Sequence, residues 1–238
     1  MKIIKRFLEL LYPKDISCIF CDNDVFDNDK HLTCSDCCKS LPFITGKICN
    51  RCGTVLTSMA NYCDRCQTTS HKFIKARAVF CYKNQVVKVI RNLKFHNAKY
   101  VAKPLARYMA DLYKKEFDCD IIVPVPMFAE NYKKRGYNQA ELLAKYLGEF
   151  VNVQVNTTDL IKVVKTKSQV NLDYKQRQEN LKDAFKVTNK NAFKNKKVLI
   201  VDDLFTTGAT IDNCAEALLK VGATKIYAIT VAHTMLNS

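Results

Sequence analysis

The chain has 238 residues, 48% of them hydrophobic, which is room for one medium domain with a folded core and a small second one. Its 38 Lys and Arg stand against 23 Asp and Glu, a formal charge of +15 that points to anionic partners. No apolar run approaches the ~18 residues of a membrane-spanning helix, so no transmembrane segment is expected.

At the start, Lys2, Lys5 and Arg6 lie among Ile3, Ile4, Phe7, Leu8, Leu10 and Leu11. Glu9 interrupts the apolar stretch and no small-residue cleavage site follows. Residues 1–15 therefore read as a short amphipathic helix packed on the protein rather than a signal peptide, with a membrane-surface anchor as the alternative. The expected location is the cytoplasm.

Residues 16–72 are dominated by cysteine. Eight of the chain's twelve cysteines fall in C-x-x-C pairs. Cys18 and Cys21 are followed after twelve residues by Cys34 and Cys37; Cys49 and Cys52 are followed after ten by Cys63 and Cys66. Two such pairs across a loop supply four thiolates for a tetrahedral Zn²⁺, so four pairs predict two sites. Sequential use gives Cys18/Cys21/Cys34/Cys37 and Cys49/Cys52/Cys63/Cys66; an interleaved pairing is the alternative, and Cys38 competes with Cys37. Four thiolates leave no open position, so the zinc would be structural, replacing a core in a segment too small to build one. A disulfide framework would need an oxidising compartment, a redox C-x-x-C usually occurs once, and iron–sulfur clusters use other spacings. Each Zn(Cys)₄ unit carries −2, which takes the +15 chain to about +11. The acids of the first loop, Asp22, Asp24, Asp27, Asp29 and Asp36, argue against that loop gripping phosphate.

From residue 73 onward the pattern is α/β. Arg77–Tyr82 reads as a strand, and Val86, Val89, Ile90 and Leu93 as a helical stripe ending at Lys94. Lys94 is placed to reach a phosphate, whereas His96 reads as a surface residue. Lys103–Tyr113 reads as a second helix with Pro104 near its start. Ile121–Pro126 is a short buried strand whose prolines mark its exit. A basic, glycine-containing loop, Asn131–Gln139, then opens a helix to about Phe150, and such a loop before a helix N-terminus is an anion site. Lys186, Lys190, Lys194, Lys196 and Lys197 form a run of five lysines with no acid, either a solubilising loop or a polyanion footprint. Past Lys75 the chain holds 27 Lys and Arg against 15 Asp and Glu, so most of the excess charge lies here.

The last segment carries the chemistry. Val198–Val201 reads as a buried parallel strand ending in Asp202 and Asp203. Thr206, Thr207, Gly208, Ala209 and Thr210 follow, and then a helix with Ile211, Cys214, Ala215, Leu218 and Leu219 on one face and Gly222 at its end. Ile226–Ala232 is the next strand. Carboxylates at the C-terminal end of a strand, a loop of N–H groups and hydroxyls, and a helix N-terminus together suit a sugar phosphate. Cys81, Cys119 and Cys214 sit in apolar patterns and read as core residues.

The stretch Val201-Asp-Asp-x-x-Thr-Thr-Gly-x-Thr210 resembles the loop of type I phosphoribosyltransferases that binds 5-phosphoribosyl-1-pyrophosphate (PRPP). The resemblance implies that Asp202 and Asp203 hold the ribose hydroxyls near Mg²⁺ and that Thr206–Thr210 hold the 5′-phosphate. With Pro124-Val-Pro126, Lys134-Arg-Gly-Tyr-Asn-Gln139, Thr166-x-x-Gln169, Arg177, Asn180 and Ala184-Phe185, and with the C-x-x-C pairs, nearly the whole chain is similar to the ComF family. That family implies a type I phosphoribosyltransferase-like parallel sheet with flanking helices, preceded by a double zinc ribbon. It further implies that Lys134, Arg135 and Gly136 face pyrophosphate, with Asn138 and Gln139 capping or orienting that loop, and that Gln169 and Arg177 lie on a loop covering PRPP. Relatives carry more arginines before Thr166, where this chain has Lys162, Val163, Val164 and Lys165. The implied function is DNA uptake in natural transformation, with incoming single-stranded DNA and a helicase-like competence protein as partners. Interspersed tyrosines, Tyr82, Tyr100, Tyr132 and Tyr137, suit a groove with stacking platforms, with core or rim positions as the alternative. Transfer of ribose 5-phosphate to an acceptor, without direct DNA binding, is the alternative.

Overall fold

The computed structural model describes residues 17–25, 31–164 and 184–235. The expected helix over 1–15 and the covering-loop residues Gln169 and Arg177 lie outside the described residues. The central element is a parallel sheet of four strands: β1 (Lys75–Cys81), β2 (Ile121–Pro124), β5 (Lys197–Phe205) and β6 (Lys225–His233), in the order β1-β6-β5-β2. Between β2 and β5 in the chain, β3 (Leu160–Lys162) and β4 (Phe185–Val187) form a separate antiparallel pair.

The strands are apolar on both faces, and alternate residues feed two cores. Leu199, Val201, Ile229 and Val231 point to one, with Val86, Val89, Ile90 and Leu93 of α3 (Gln85–Phe95), Leu105 and Met109 of α4 (Ala102–Glu116), and Leu143, Ala144 and Leu147 of α6 (Gln139–Val151). Val198, Ile200, Ile226 and Ala228 point to the other, with Ile211, Cys214, Ala215 and Leu218 of α7 (Ala209–Leu219). The helical stripes read from sequence are the buried faces of α3 and α7, except that Leu219 at the end of α7 is exposed.

The cysteine-rich region wraps the β1 edge of this sheet. Its two short helices, α1 (Ser35–Ser40) and α2 (Asp64–Thr68), each begin just after a cysteine. Phe43 bridges to Phe80, Ile44 N–H donates to Val79, and Cys81 N–H donates to Pro42. Pairing of this kind satisfies an edge that would otherwise present open backbone groups. Cys18, Ile19, Phe20 and Cys37 join the α3/α4 core, whereas Cys49, Cys52 and Cys66 join the α7 core. The double ribbon thus straddles the sheet, with one knuckle on each face. Cys119 and Cys214 are core residues as expected, while Cys81 is half-buried.

One expected loop is a helix. Ala129–Arg135 forms α5, because Ala, Glu, two Lys and Arg are good helix formers once Phe128 enters extended. Gly136 ends it in the left-handed region at φ 78°, which few side chains tolerate.

Candidate functional site

The sheet opens at the acid pair. β2 pairs with β5 only as far as Pro124 opposite Val201, and Val125 N–H adds one last bond to Val201. Pro126 has no N–H to continue the ladder. β5 itself runs on to Phe205, held by β6 through Asp202–Thr230, Leu204–Ala232 and Phe205–His233. Asp202 and Asp203 therefore lie on a strand secured on one side and open on the other. That is the switch-point crevice where open α/β sheets place ligands.

A cleft of about 410 Å³ occupies this opening, lined by Asp202, Asp203, Thr206 and Thr210 together with Lys94, Arg135 and Lys162. Asp203 is 2% exposed, and Lys94 Nζ lies 2.6 Å from its Oδ2. Gln139 Nε2 donates to Asp203 Oδ1 at 3.3 Å, and Arg135 donates to Gln139 Oε1 at 2.5 Å. Asp203 N–H donates to Asp202 Oδ1 at 2.8 Å. Asp202 keeps part of its surface open to the cleft, yet protein surrounds it closely. That enclosure, and then the neighbouring Asp203 charge, push its carboxyl well above the usual carboxylate range. Burial pulls the Lys94 ammonium down, but attraction to Asp203 outweighs it and leaves Lys94 raised. At Lys162 burial outweighs the opposing pull of Cys214 and Asp202, and its pKa is lowered. Two adjacent carboxylates offer hard oxygen ligands of the kind Mg²⁺ takes.

The loop after the strand is compact. Gly208, at φ 86°, precedes α7, and a Cβ there would lie 3.0 Å from Phe205 Cζ and 3.1 Å from His71 Cε1. Thr207, Gly208 and Ala209 are buried. Thr207 Oγ1 accepts from Ala209 N–H at 3.4 Å. The N-terminal end of α7 faces the cleft through Thr210.

Of the other expected site residues, Arg135 lines the cleft, and Lys134 lines an adjoining cavity of about 500 Å³ that shares Lys94, Phe95, Asn131 and Arg135. Gly136 forms the cap of α5, as above. Asn138 caps α6: its Oδ1 accepts from Ala140 N–H at 3.1 Å and its Nδ2 donates to Val125 O at 2.9 Å. The lysine run is not gathered at the cleft. Lys197 opens β5 and pairs with Asp118 at 2.5 Å, so its Cα stands ~20 Å from Asp203 along the strand. Lys186 is exposed on β4, and Lys190 and Lys194 are exposed around the following turn. Tyr137 is buried and Tyr82 half-buried, while Tyr100 and Tyr132 are exposed.

Two features were not anticipated from sequence. Phe95 is 67% exposed at the cleft mouth with the Arg135 guanidinium 5.2 Å from its ring centre. His71 and Asp212 form a buried pair at 2.7 Å across 141 residues. An aromatic two residues after Leu93, the last buried position of α3, is the available signal for Phe95; the His71 pair leaves none.

The cysteines assemble sequentially. The sulfurs of Cys18, Cys21, Cys34 and Cys37 lie within 4.8 Å of one another, as do those of Cys49, Cys52, Cys63 and Cys66. Cys21 and Cys34 are 3.6 Å apart and Cys52 and Cys63 3.7 Å, close to the ~3.8 Å that tetrahedral Zn–S bonds of about 2.3 Å require. Cys38 is exposed and outside the group, which resolves its competition with Cys37. Burial pushes the Cys49 thiol up, but N–H groups from Cys52, Cys63 and Arg51 overcome this and hold it down at about 7.

Comparison with known proteins agrees with both halves. The double zinc ribbon domain family matches residues 7–67 and the phosphoribosyl transferase domain family residues 93–235. The chain is 32% identical over 220 residues to Competence protein F of Haemophilus influenzae, covering 88% of this chain and 93% of that one. This chain belongs to the ComF family. It is also 28% identical to the DNA utilization protein YhgH of Escherichia coli over 79% of this chain and 85% of that one. To Competence protein ComFC of Streptococcus pneumoniae it is 26% identical over 82% and 85%. This ComF protein therefore combines a phosphoribosyltransferase-type parallel sheet with a ribbon of two Cys₄ zinc-binding sites. No helix among the described residues is long and apolar enough to cross a membrane.

Proposed function

We propose that this ComF protein binds PRPP with Mg²⁺ and serves DNA uptake in natural transformation, handling incoming single-stranded DNA. The observation that carries the PRPP reading is the acid pair at the sheet opening, directly followed by a buried Thr-Gly loop at a helix N-terminus. Asp202 and Asp203 would take the ribose hydroxyls, and the N–H groups of Thr206–Thr210 the 5′-phosphate. Asp202 and Asp203 are also the residues that would hold Mg²⁺, which supplies charge neutralisation for the pyrophosphate. Lys94 and Arg135, with Lys134 and Gly136 behind them, lie on the side where pyrophosphate would sit. Gln169 and Arg177 remain the proposed covering residues. Transfer to an acceptor would use the same groups, positional and electrostatic in kind.

Calorimetric titration with Mg²⁺ and PRPP tests this. The wild type should bind, and Asp202→Asn/Asp203→Asn should abolish the heat; unchanged affinity in that variant sinks the assignment.

The competence names of the relatives, the charge of +15, the exposed Phe95 and Tyr132 by the cleft and the exposed Tyr100 support the DNA reading. Bases would stack on these rings, each worth ~1–3 kcal/mol. Lys186, Lys190, Lys194, Lys196 and Lys197 are the proposed backbone footprint, and a helicase-like competence protein is the proposed partner in the cytoplasm. Anisotropy with a labelled single strand should show affinity falling with salt, less steeply once the lysines are neutralised. An affinity flat with ionic strength would remove the electrostatic groove.

A further inference from the structure

The second zinc knuckle reaches the phosphate loop through one buried pair. Cys66, its last ligand, lies five residues before His71. The side chains of His71 and Asp212 are 1% and 4% exposed, with Nδ1 2.7 Å from Oδ2. Asp212 Oδ1 accepts from Lys72 N–H at 2.7 Å. A carboxylate can only accept, so His71 Nδ1 carries the proton. Asp212 is in the first turn of α7, the helix whose N-terminus underlies the loop. Left unpartnered there, its charge would oppose a phosphate on the same helix end.

A chain of contacts leads from this pair to the loop. The His71 ring stacks on Phe73 at 4.6 Å, Phe73 meets Phe205 edge-on at 6.0 Å, and Phe205 stacks on His233 at 4.7 Å. The back of Gly208 is closed by His71 and Phe205, the 3.1 Å and 3.0 Å approaches noted above. Cys49, Cys52 and Cys66 share a core with Phe73, Phe205, Ala209 and Ile211. No comparable contact joins the first knuckle to residues 205–212 among the described residues.

We infer that His71 is a positioning residue for the phosphate loop. Its hydrogen bond to Asp212 fixes the first turn of α7 and offsets the Asp212 charge, and its ring forms the wall against which Gly208 turns. The second zinc ribbon is thereby a built part of the phosphate site rather than an appended module. This inference rests on the PRPP reading for its ligand, but not for its mechanics.

The test compares His71→Ala and His71→Gln with His71→Asn in the full chain. Asn places a donor near the Nδ1 position, whereas Gln keeps bulk but carries its amide to the Nε2 position. Zinc per chain is measured first and should stay at two, showing that the ribbon is intact. Amide exchange of residues 206–212 in the free protein should quicken in the Ala and Gln variants and stay near wild type in the Asn variant. Mg²⁺–PRPP affinity should fall about tenfold or more in the first two and recover in the third. Unchanged loop exchange in His71→Ala overturns the inference, as does a His71→Asn variant no better than Ala. If His71→Ala loses zinc, the Gln–Asn contrast decides. If wild type takes no PRPP, the PRPP reading fails by itself and the exchange comparison still decides the role of His71.

Discussion

The two zinc sites use the same four thiolates and the same C-x-x-C pairs, yet they lie on opposite faces of one sheet. The first packs against α3 and α4: Phe20 and Phe43 meet Phe80, Thr33 accepts from Tyr108 at 2.8 Å, and the His31 ring lies over Tyr108 at 4.2 Å. The second packs behind residues 205–211, and Arg77 ties it to β1 through the carbonyls of Cys49 and Asn50. Chemically equivalent modules thus have different neighbours. The first closes a helical face, and the second packs behind the loop that borders the cleft. What a metal site does for a protein is decided by the core it completes, not by its ligands.

Breaking one site at a time is the most forceful way to challenge this contrast. A structural Cys₄ zinc contributes on the order of 10 kcal/mol to the fold of its own knuckle. Cys21→Ser and Cys52→Ser should each lose one of two zinc ions by elemental analysis. Cys52→Ser should also lose Mg²⁺–PRPP binding, because Cys52 shares the core of Phe205 and Ala209. Cys21→Ser should keep that binding to within a few-fold. Equal losses in the two variants would mean that the ribbon acts as one body and that the faces are not separate.

The contrast was only half visible in the sequence. Spacing alone reveals two Cys₄ sites, because tetrahedral ligation needs two paired thiolates from each side of a loop. The acid pair and Thr-Gly loop were legible because strand, carboxylates and helix start are contiguous, and Val198–Val201 and the α7 stripe follow directly from periodicity. The straddling of β1 was not legible, since Phe43–Phe80 and Ala76–Arg51 are pairings between distant segments that no local pattern announces. The same holds for His71–Asp212, and for Lys94 as the partner of Asp203. The lysine run lies away from the cleft, passing from β4 around a turn to the start of β5, a placement that its sequence alone does not reveal. The segment expected as a loop at Asn131–Gln139 is helical in its first half, where its charged residues are also good helix formers and Gly136 supplies the stop.

A gentler pair of substitutions sharpens the comparison without touching a zinc ligand. Phe80 and Phe73 are both fully buried, one in each core. Truncating either to Ala should cost about 3–5 kcal/mol of stability, read from denaturant midpoints. The two should differ in function. Phe80→Ala should leave PRPP affinity per folded molecule unchanged, since its neighbours are Phe20, Phe43 and Tyr108. Phe73→Ala removes the ring between His71 and Phe205, and should weaken PRPP binding in the folded fraction as well. A Phe80→Ala variant that lost affinity to the same degree would show that packing on the first face is felt at the cleft.

The smallest effects test whether electrostatic tension is confined to the second face. Asp202 holds its proton above the usual carboxylate range because protein encloses it and Asp203 lies beside it. A carboxyl whose folded pKa is raised binds its proton more tightly folded than unfolded. Its contribution to stability is therefore complete below the unfolded value and is lost as pH rises through the folded one. At neutral pH the ligand-free wild type carries that penalty, and Asp202→Asn does not. The variant should melt a few degrees higher than wild type near neutrality, at ~2–4 °C per kcal/mol, and the gap should close as the pH falls toward 4, the ordinary carboxylate value. His233 does not confuse the reading near neutrality, since burial holds its pKa at about 4. On the first face, Asp111 pairs with His31 at 2.8 Å with nearly half its side chain exposed. Asp111→Asn should lower the melting temperature slightly, in keeping with the ~0–1 kcal/mol of an exposed pair. Opposite signs at the two aspartates would mean that the cleft has given up stability for a site that charge must enter. A melting temperature lowered equally by both would mean that Asp202 is stabilising like any paired carboxylate and that the tension at the sheet opening is not there.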